Sequence, residues 1–245
     1  VTGVKDKVIV ITGAGSGIGR SAARMLAERG AKIVVGARRA EKLESLVKEV
    51  EAAGGVASFK VTDTARREDV AALVAHACDV HGKLDVLISN AGVAPISKLE
   101  DLQVEDWEAM VDINFKGVLY GVAAALPIFL RQGFGHFVNT ISTSGLQVSP
   151  TMAVYAATKN AVRTLGEGLR IESDGRYRVT GISPGFVATD FVQSMTDPQV
   201  AAAIQARMDA IALEPEAIAR AMVYAIEQPD HVDVGDLVIR PAVQN

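Results

Sequence analysis

Short, unbroken apolar runs alternate along the chain with stretches whose apolar residues recur every three or four positions. The first run, Val8-Ile9-Val10-Ile11, carries no polar face, so it predicts a strand buried on both sides. A helical period follows over 18–29, with Gly30 placed to end it. Residues 32–35 read as a second strand. Leu43, Leu46, Val47 and Val50 then lie at helical spacing, and Gly54-Gly55 breaks that helix. The alternation continues with a strand at 56–61, a helix at 68–80 stopped by Gly82, and a strand at 84–88. A long helix is predicted over 104–130, a strand over 136–141, a helix over 154–172 and a strand over 178–182. Helices at 200–210 and 216–227 precede a last strand at 236–239. Apolar strands separated by helices predict a parallel sheet covered on both faces. No linker, repeat or low-complexity tract interrupts the pattern. The chain therefore reads as a single doubly wound α/β domain over 1–245, with about seven strands.

Composition narrows the function classes. Hydrophobic residues make up 49% of the 245 and charged residues 22%, an ordinary globular balance. A formal net charge of -4 offers no attraction to nucleic acid or to an anionic membrane. Apolar runs such as 8–11 are too short to span a bilayer, and no signal-peptide pattern opens the sequence. The single cysteine, Cys78, sits in a helix-like run and reads as packing; a chain without an internal disulfide suits a reducing compartment, so a cytoplasmic enzyme is expected. None of the four histidines lies in an HExxH pattern or near a cysteine pair, so no metal site is expected.

Two places carry candidate chemistry. The first strand runs into Thr12-Gly13-Ala14-Gly15-Ser16-Gly17-Ile18-Gly19 and then a helix. Glycines allow a sharp turn and close approach of backbone to ligand, and the helix N-terminus presents free N–H groups to a pyrophosphate. The spacing is G-x-x-x-G-x-G rather than G-x-G-x-x-G, and no G-K-[ST] follows, which excludes a P-loop. An NAD site would place an acid at the end of the second strand for the ribose 2′-hydroxyl. Here Arg38 and Arg39 follow Ala37, and guanidinium groups suit a 2′-phosphate, so NADP(H) is the expected cofactor.

The second place is Tyr155-Ala156-Ala157-Thr158-Lys159, where i,i+4 spacing sets both side chains on one helical face. A nearby ammonium favours tyrosinate, so Lys159 is expected to lower the Tyr155 pKa. Such a pair alone is common and means little. Its order with Thr12-Gly13-x-x-x-Gly17-Ile18-Gly19, Asn90-Ala91-Gly92, Asn114, Ser142 and Pro184-Gly185 is specific. Over essentially its whole length the chain resembles the short-chain dehydrogenase/reductase family, in an NADP-preferring form, with a Rossmann-like fold.

The resemblance implies a role for each matching residue. Tyr155 protonates the carbonyl oxygen, Ser142 hydrogen-bonds the same oxygen, and Lys159 binds the nicotinamide ribose and tunes Tyr155. Asn114 holds a water in a proton relay behind Lys159. Thr143 and Ser144 compete for the serine role, but the 13-residue spacing to Tyr155 selects Ser142. Gly13, Ser16, Ile18, Arg38, Arg39 and Val61 would line the cofactor, with Asn90, Ala91 and Gly92 on its adenosine side. Pro184, Gly185, Val187 and Thr189 would wrap the nicotinamide. Three departures stand out: Lys60-Val61 replaces an Asp-Val pair, Ser89 replaces an Asn, and the tail Leu237-Val238-Ile239-Arg240-Pro241 lacks Asp-Gly-Gly. That tail resembles a branch with serine 3-dehydrogenase and 3-hydroxy-acid dehydrogenases.

The leading expectation is therefore a reductase of a small-molecule ketone or aldehyde, running in reverse as an alcohol dehydrogenase. The alternative is a dehydrogenase of a 3-hydroxy acid or hydroxy amino acid, which an active-site arginine would favour; Arg131, Arg163 and Arg207 are candidates. A non-catalytic NADP(H) sensor would lack Tyr155, Lys159 or Ser142, and all three are present. The substrate loop is placed at about 186–210, where Phe191, Met195 and Met208 suggest apolar walls. Small residues on the helices carrying Asn114 and Tyr155, including Gly117, Gly121, Ala123, Ala156, Ala157 and Ala161, permit close helix approach; the resemblance implies a homotetramer.

Overall fold

The computed structural model describes residues 3–244. Seven strands form one parallel sheet: β1 Val8–Thr12, β2 Lys32–Ala37, β3 Val56–Val61, β4 Val86–Ser89, β5 His136–Thr140, β6 Arg178–Pro184 and β7 Asp236–Ile239. Their order is β3-β2-β1-β4-β5-β6-β7. The chain starts mid-sheet, winds outward to β3, then returns past β1 and winds the other way. This reversal leaves a crevice between the C-terminal ends of β1 and β4, the place where such sheets bind ligands.

The absence of a polar face in the strands has a direct cause. Ile9, Ile11, Ile33 and Val35 point to one face, where α1 Gly17–Glu28, α2 Ala40–Ala52 and α8 Pro215–Glu227 pack through Leu26, Leu43, Leu46 and Met222. Val8, Val10 and Val34 point to the other, under α3 Arg67–His81, α5 Gly117–Gln132 and α6 Ala153–Glu172, which contribute Leu73, Phe129 and Leu169. Alternate strand residues thus serve opposite cores. Cys78 packs beside the second core as an unpaired thiol.

The predicted long helix is present but not uniform. It opens as α4 Val104–Met110, passes through a π-helical turn at Val111–Lys116, and continues as α5. Contrary to the expectation from short apolar runs, Val104–Gln132 is long and apolar enough by length and composition to cross a bilayer. Its inner face instead lies on the sheet: Ala125 and Phe129 are fully buried, and a Cβ on Gly121 would come within 3.0 Å of Leu87. Strand β4 also starts two residues later than predicted. The Gln132 side chain bonds both backbone groups of Leu84, and the Asp85 carboxylate accepts the Val8 N–H at 2.7 Å. These side chains take up groups that a longer strand would have paired. The segment that follows β6 holds α7 Pro198–Ile211, inside the predicted substrate loop.

Candidate active site

At the C-terminal edge of the sheet β1 ends in a glycine turn. Gly13 has φ +68°, and a Cβ there would meet Ala91 backbone at 2.7 Å. Gly17 has φ +53° and opens α1. Ser16 precedes it without capping the helix through its side chain, and the first turn holds no acid. The first N–H groups of α1 therefore stay open to an anion, at the positive end of the helix dipole. Gly13, Ser16, Ile18, Arg38, Arg39, Asn90, Ala91, Gly92 and Thr189 all line the cleft above this turn.

Asn90 fixes the floor of that cleft. Its Nδ2 donates to the carbonyls of Thr12 and Gly13, and its Oδ1 accepts from the Thr140 hydroxyl at 3.2 Å. One amide thereby ties the ends of β1, β4 and β5. At the adenine end, Val61 is half exposed at the end of β3 and stands outside the wall, as does Lys60. Thr62, Asp63 and Thr64, which sequence reasoning did not single out, take that place. The Asp63 carboxylate accepts its own turn's Ala65 N–H, and Asp190 faces Arg39 at 3.8 Å. Arg38 has no ion-pair partner among the described residues. An uncapped helix N-terminus and tightly packed glycines fit the phosphates of a dinucleotide, with Arg38 and Arg39 in the same wall.

A chamber continues this cleft; the two share Ile18, Asn90, Gly92, Thr189 and Phe191 in their walls. Tyr155 and Lys159 enter it from successive turns of α6. Ser142 enters from just beyond β5, where its extended backbone also makes it the cap of a short 3-10 turn, accepting the Ser144 N–H at 3.1 Å. Ser142 and Tyr155 face the same chamber, and the Ser142 side chain favours the Tyr155 anion. Ser144, the competitor, instead donates to the Met152 sulfur. Lys159 Nζ donates to the Thr140 carbonyl at 2.9 Å and lies 5.9 Å from the Tyr155 ring centre. The Thr140 contact is made by its main-chain carbonyl, so no side-chain pattern in the sequence signals it.

Burial dominates the electrostatics. It pushes the Tyr155 phenol up to about 12, against the opposing hydrogen bond from Ser142. The expectation that Lys159 lowers this pKa is therefore not met here. The reason is desolvation, which penalises tyrosinate. The same burial draws Lys159 down to about 8.

Asn114 is fully buried in the π turn. Its Oδ1 accepts from Val93 N at 2.8 Å, and its Nδ2 donates to Val93 O at 2.9 Å and to Thr158 at 3.3 Å. Both amide protons and one Oδ1 lone pair are thus used on protein groups, and the second lone pair is left for a further donor. A Cβ on Gly92 would lie a tight 3.3 Å from Asn114 Oδ1 and in ordinary contact, 3.5 Å, with Lys159 Nζ.

Pro184, Gly185, Val187 and Thr189 line the chamber, and Phe191, Met195 and Met208 form an apolar wall, as the loop composition suggested. Phe191 packs edge-on against Tyr155 at 5.7 Å. Arg131, Arg163 and Arg207 lie elsewhere, Arg163 paired with Asp236 at 2.9 Å. Arg240 and Gln244 line the chamber instead. Their position after the last strand, at the sheet's C-terminal edge, was the available signal.

Residues 7–200 match the family model described as short chain dehydrogenase. An uncharacterized oxidoreductase of Listeria monocytogenes is 44% identical over 244 residues, 98% of each chain. Among solved structures, the closed form of serine dehydrogenase complexed with NADP+ superposes with a TM-score of 0.90 at 31% identity, covering 97% of this chain and 96% of that one. A short-chain dehydrogenase/reductase from Burkholderia phymatum in complex with NAD gives 0.89 at 30% identity, over 96% and 90%.

Proposed function

This chain belongs to the short-chain dehydrogenases and is an oxidoreductase, and from that premise we propose that it interconverts a small-molecule ketone or aldehyde and its alcohol with NADP(H), with Tyr155 as general acid and base. One observation carries the reading. Tyr155, Ser142 and Lys159 line one chamber that opens into a phosphate-suited cleft.

Reduction of a carbonyl builds negative charge on its oxygen, so two fixed hydroxyl donors stabilise the transition state there. Tyr155 holds its proton firmly, since burial raises its pKa, and Ser142 supplies the second hydrogen bond. The nicotinamide, when bound, supplies or accepts the hydride. Lys159 uses one of its three protons on Thr140, which leaves two for ribose hydroxyls. Apolar walls around Tyr155 keep water from the reacting oxygen. The acid-free end of β2 and an Arg38 with no ion pair among the described residues support the choice of NADP(H). We further assign the whole chain to one domain and the enzyme to the cytoplasm as a homotetramer.

A panel of ketones, aldehydes and hydroxy compounds, followed at 340 nm with each nicotinamide coenzyme, tests this reading. Turnover with NADPH or NADP+ well above that with NADH or NAD+ is expected. No turnover with any pair would overturn the proposed activity, and an NADH preference would overturn the coenzyme assignment.

A further inference from the structure

Among the described residues lining the chamber, Lys159 and Arg240 carry the only formal charges, and both are cationic. No Asp, Glu or His among the described residues faces the same space, in a chain whose net charge is -4. Lys159 is buried and tied to Thr140. Arg240 is exposed at the chamber's edge and has no ion pair or hydrogen-bond partner among the described residues.

Its backbone is nonetheless fixed. Pro184 and Ile239 pair in the sheet, and Gly185 N donates to Ile239 O at 2.8 Å. Beyond Arg240 the chain turns back, with Gln244 N donating to Pro241 O at 2.9 Å. The Gln244 side chain closes the turn against the chamber: its Oε1 accepts from Phe186 N at 2.9 Å and its Nε2 donates to Thr143 at 3.4 Å. Gly185 makes room for this arrangement, because a Cβ there would collide with Gln244 and approach Arg240 Cβ to 2.7 Å. A guanidinium on a fixed backbone, beside apolar walls and without a protein counter-ion, is a receptor for an anionic group.

We propose that this site selects carbonyl or hydroxy compounds bearing an anionic group such as a carboxylate, with Arg240 as the counter-charge. The inference deepens the reading of the chamber as the substrate site and rests on it. Arg240 binds and orients substrate; it takes no part in proton transfer.

The test separates binding from turnover. Protein loaded with whichever nicotinamide coenzyme it binds is titrated calorimetrically with isobutyrate and with isobutyramide, which match in shape and differ in charge. Isobutyrate should bind about tenfold more tightly, the lower end for a charge-assisted contact at an exposed site. Arg240→Met should remove the difference, and Arg240→Lys should restore part of it. In parallel, a keto acid and its methyl ester are compared as substrates. The wild type should favour the acid through KM, and Arg240→Met should lose that preference. Equal binding of the two probes by the wild type, or a preference that survives Arg240→Met, would overturn the anion site and leave the proposed activity standing. An Arg240-dependent preference for isobutyrate without turnover of any ketone would sink the activity and leave the site.

Discussion

As the proposed general acid, Tyr155 gives a proton to the substrate oxygen, although its burial favours keeping that proton. Tyr155→Phe removes only the hydroxyl, so fold and coenzyme affinity should survive. The kcat for carbonyl reduction should fall at least about 100-fold, since general acid catalysis is typically worth 10²–10⁴. A variant retaining more than about a tenth of wild-type turnover would make another group the acid. The raised pKa has a spectroscopic consequence. Burial disfavours the anion, so Tyr155 stays neutral below the ordinary tyrosine value of about 10 and ionises only toward about 12. A difference spectrum between wild type and Tyr155→Phe should show no tyrosinate up to pH about 10; its appearance near neutrality would mean that Lys159 outweighs burial. Oxidation, which needs the tyrosinate, should accelerate as pH rises. At the other end of the cleft, Arg38→Ala should weaken NADPH binding about tenfold and leave NADH nearly unchanged, read by fluorescence titration. Ser142, Tyr155 and Lys159 were legible because their spacing along the chain is fixed by one strand end and one helix. The direction of the tyrosine shift was not, because burial is set by Phe191 and neighbours far along the chain.

Helical periodicity over 104–130 identified an element but hid its π turn at Val111–Lys116. The stabilising contacts of that turn come from Val93, 21 residues upstream of Asn114, and no local pattern carries them. An extra residue in one turn shifts the register between α4 and α5, and the widened turn holds Asn114 against the loop after β4. The carboxamide satisfies both backbone groups of Val93, and Gly92 next to it faces Lys159. Asn114→Ala would strand a backbone N–H and a carbonyl away from their partners. Each unsatisfied buried group costs about 1–3 kcal/mol. A fall of about 2 kcal/mol or more in urea unfolding, as a lower midpoint at constant slope, is expected. Wild-type stability in Asn114→Ala would show that the helix makes the turn by itself. The early start predicted for β4 failed for a similar reason, since the Gln132 amide that occupies Leu84 arrives from the far end of α5.

At the scale of the whole molecule, alternation of strand and helix was enough to read a doubly wound parallel sheet, because each apolar strand needs a helix on both faces. The convergence of Tyr155, Arg38 and Arg240 on one edge followed from that topology; which tail residue reached the chamber did not. The same topology leaves an account open on the outside. In the apolar part of the helix over Val104–Gln132 only 33% is buried within the chain, and Val111 and Leu130 stay exposed beside it. Gly117 and Gly121 turn inward against Thr64 and Leu87, so they serve the chain's own packing rather than a partner. Ala123 on α5 and Ala157 on α6 remain exposed, and small side chains allow another helix to come close. Apolar surface of this extent on a helix pair is the signature of an interface, and self-complementary faces close with two-fold symmetry. The proposed homotetramer, which needs a further interface besides this one, predicts four times the 25.8 kDa chain mass in static light scattering at micromolar concentration. Ala123→Glu places a charge in the middle of that face and should split the assembly into smaller species without unfolding the chain. A wild-type mass of 25.8 kDa at the same concentration would refute the tetramer and require the apolar face of α5 to be explained as surface.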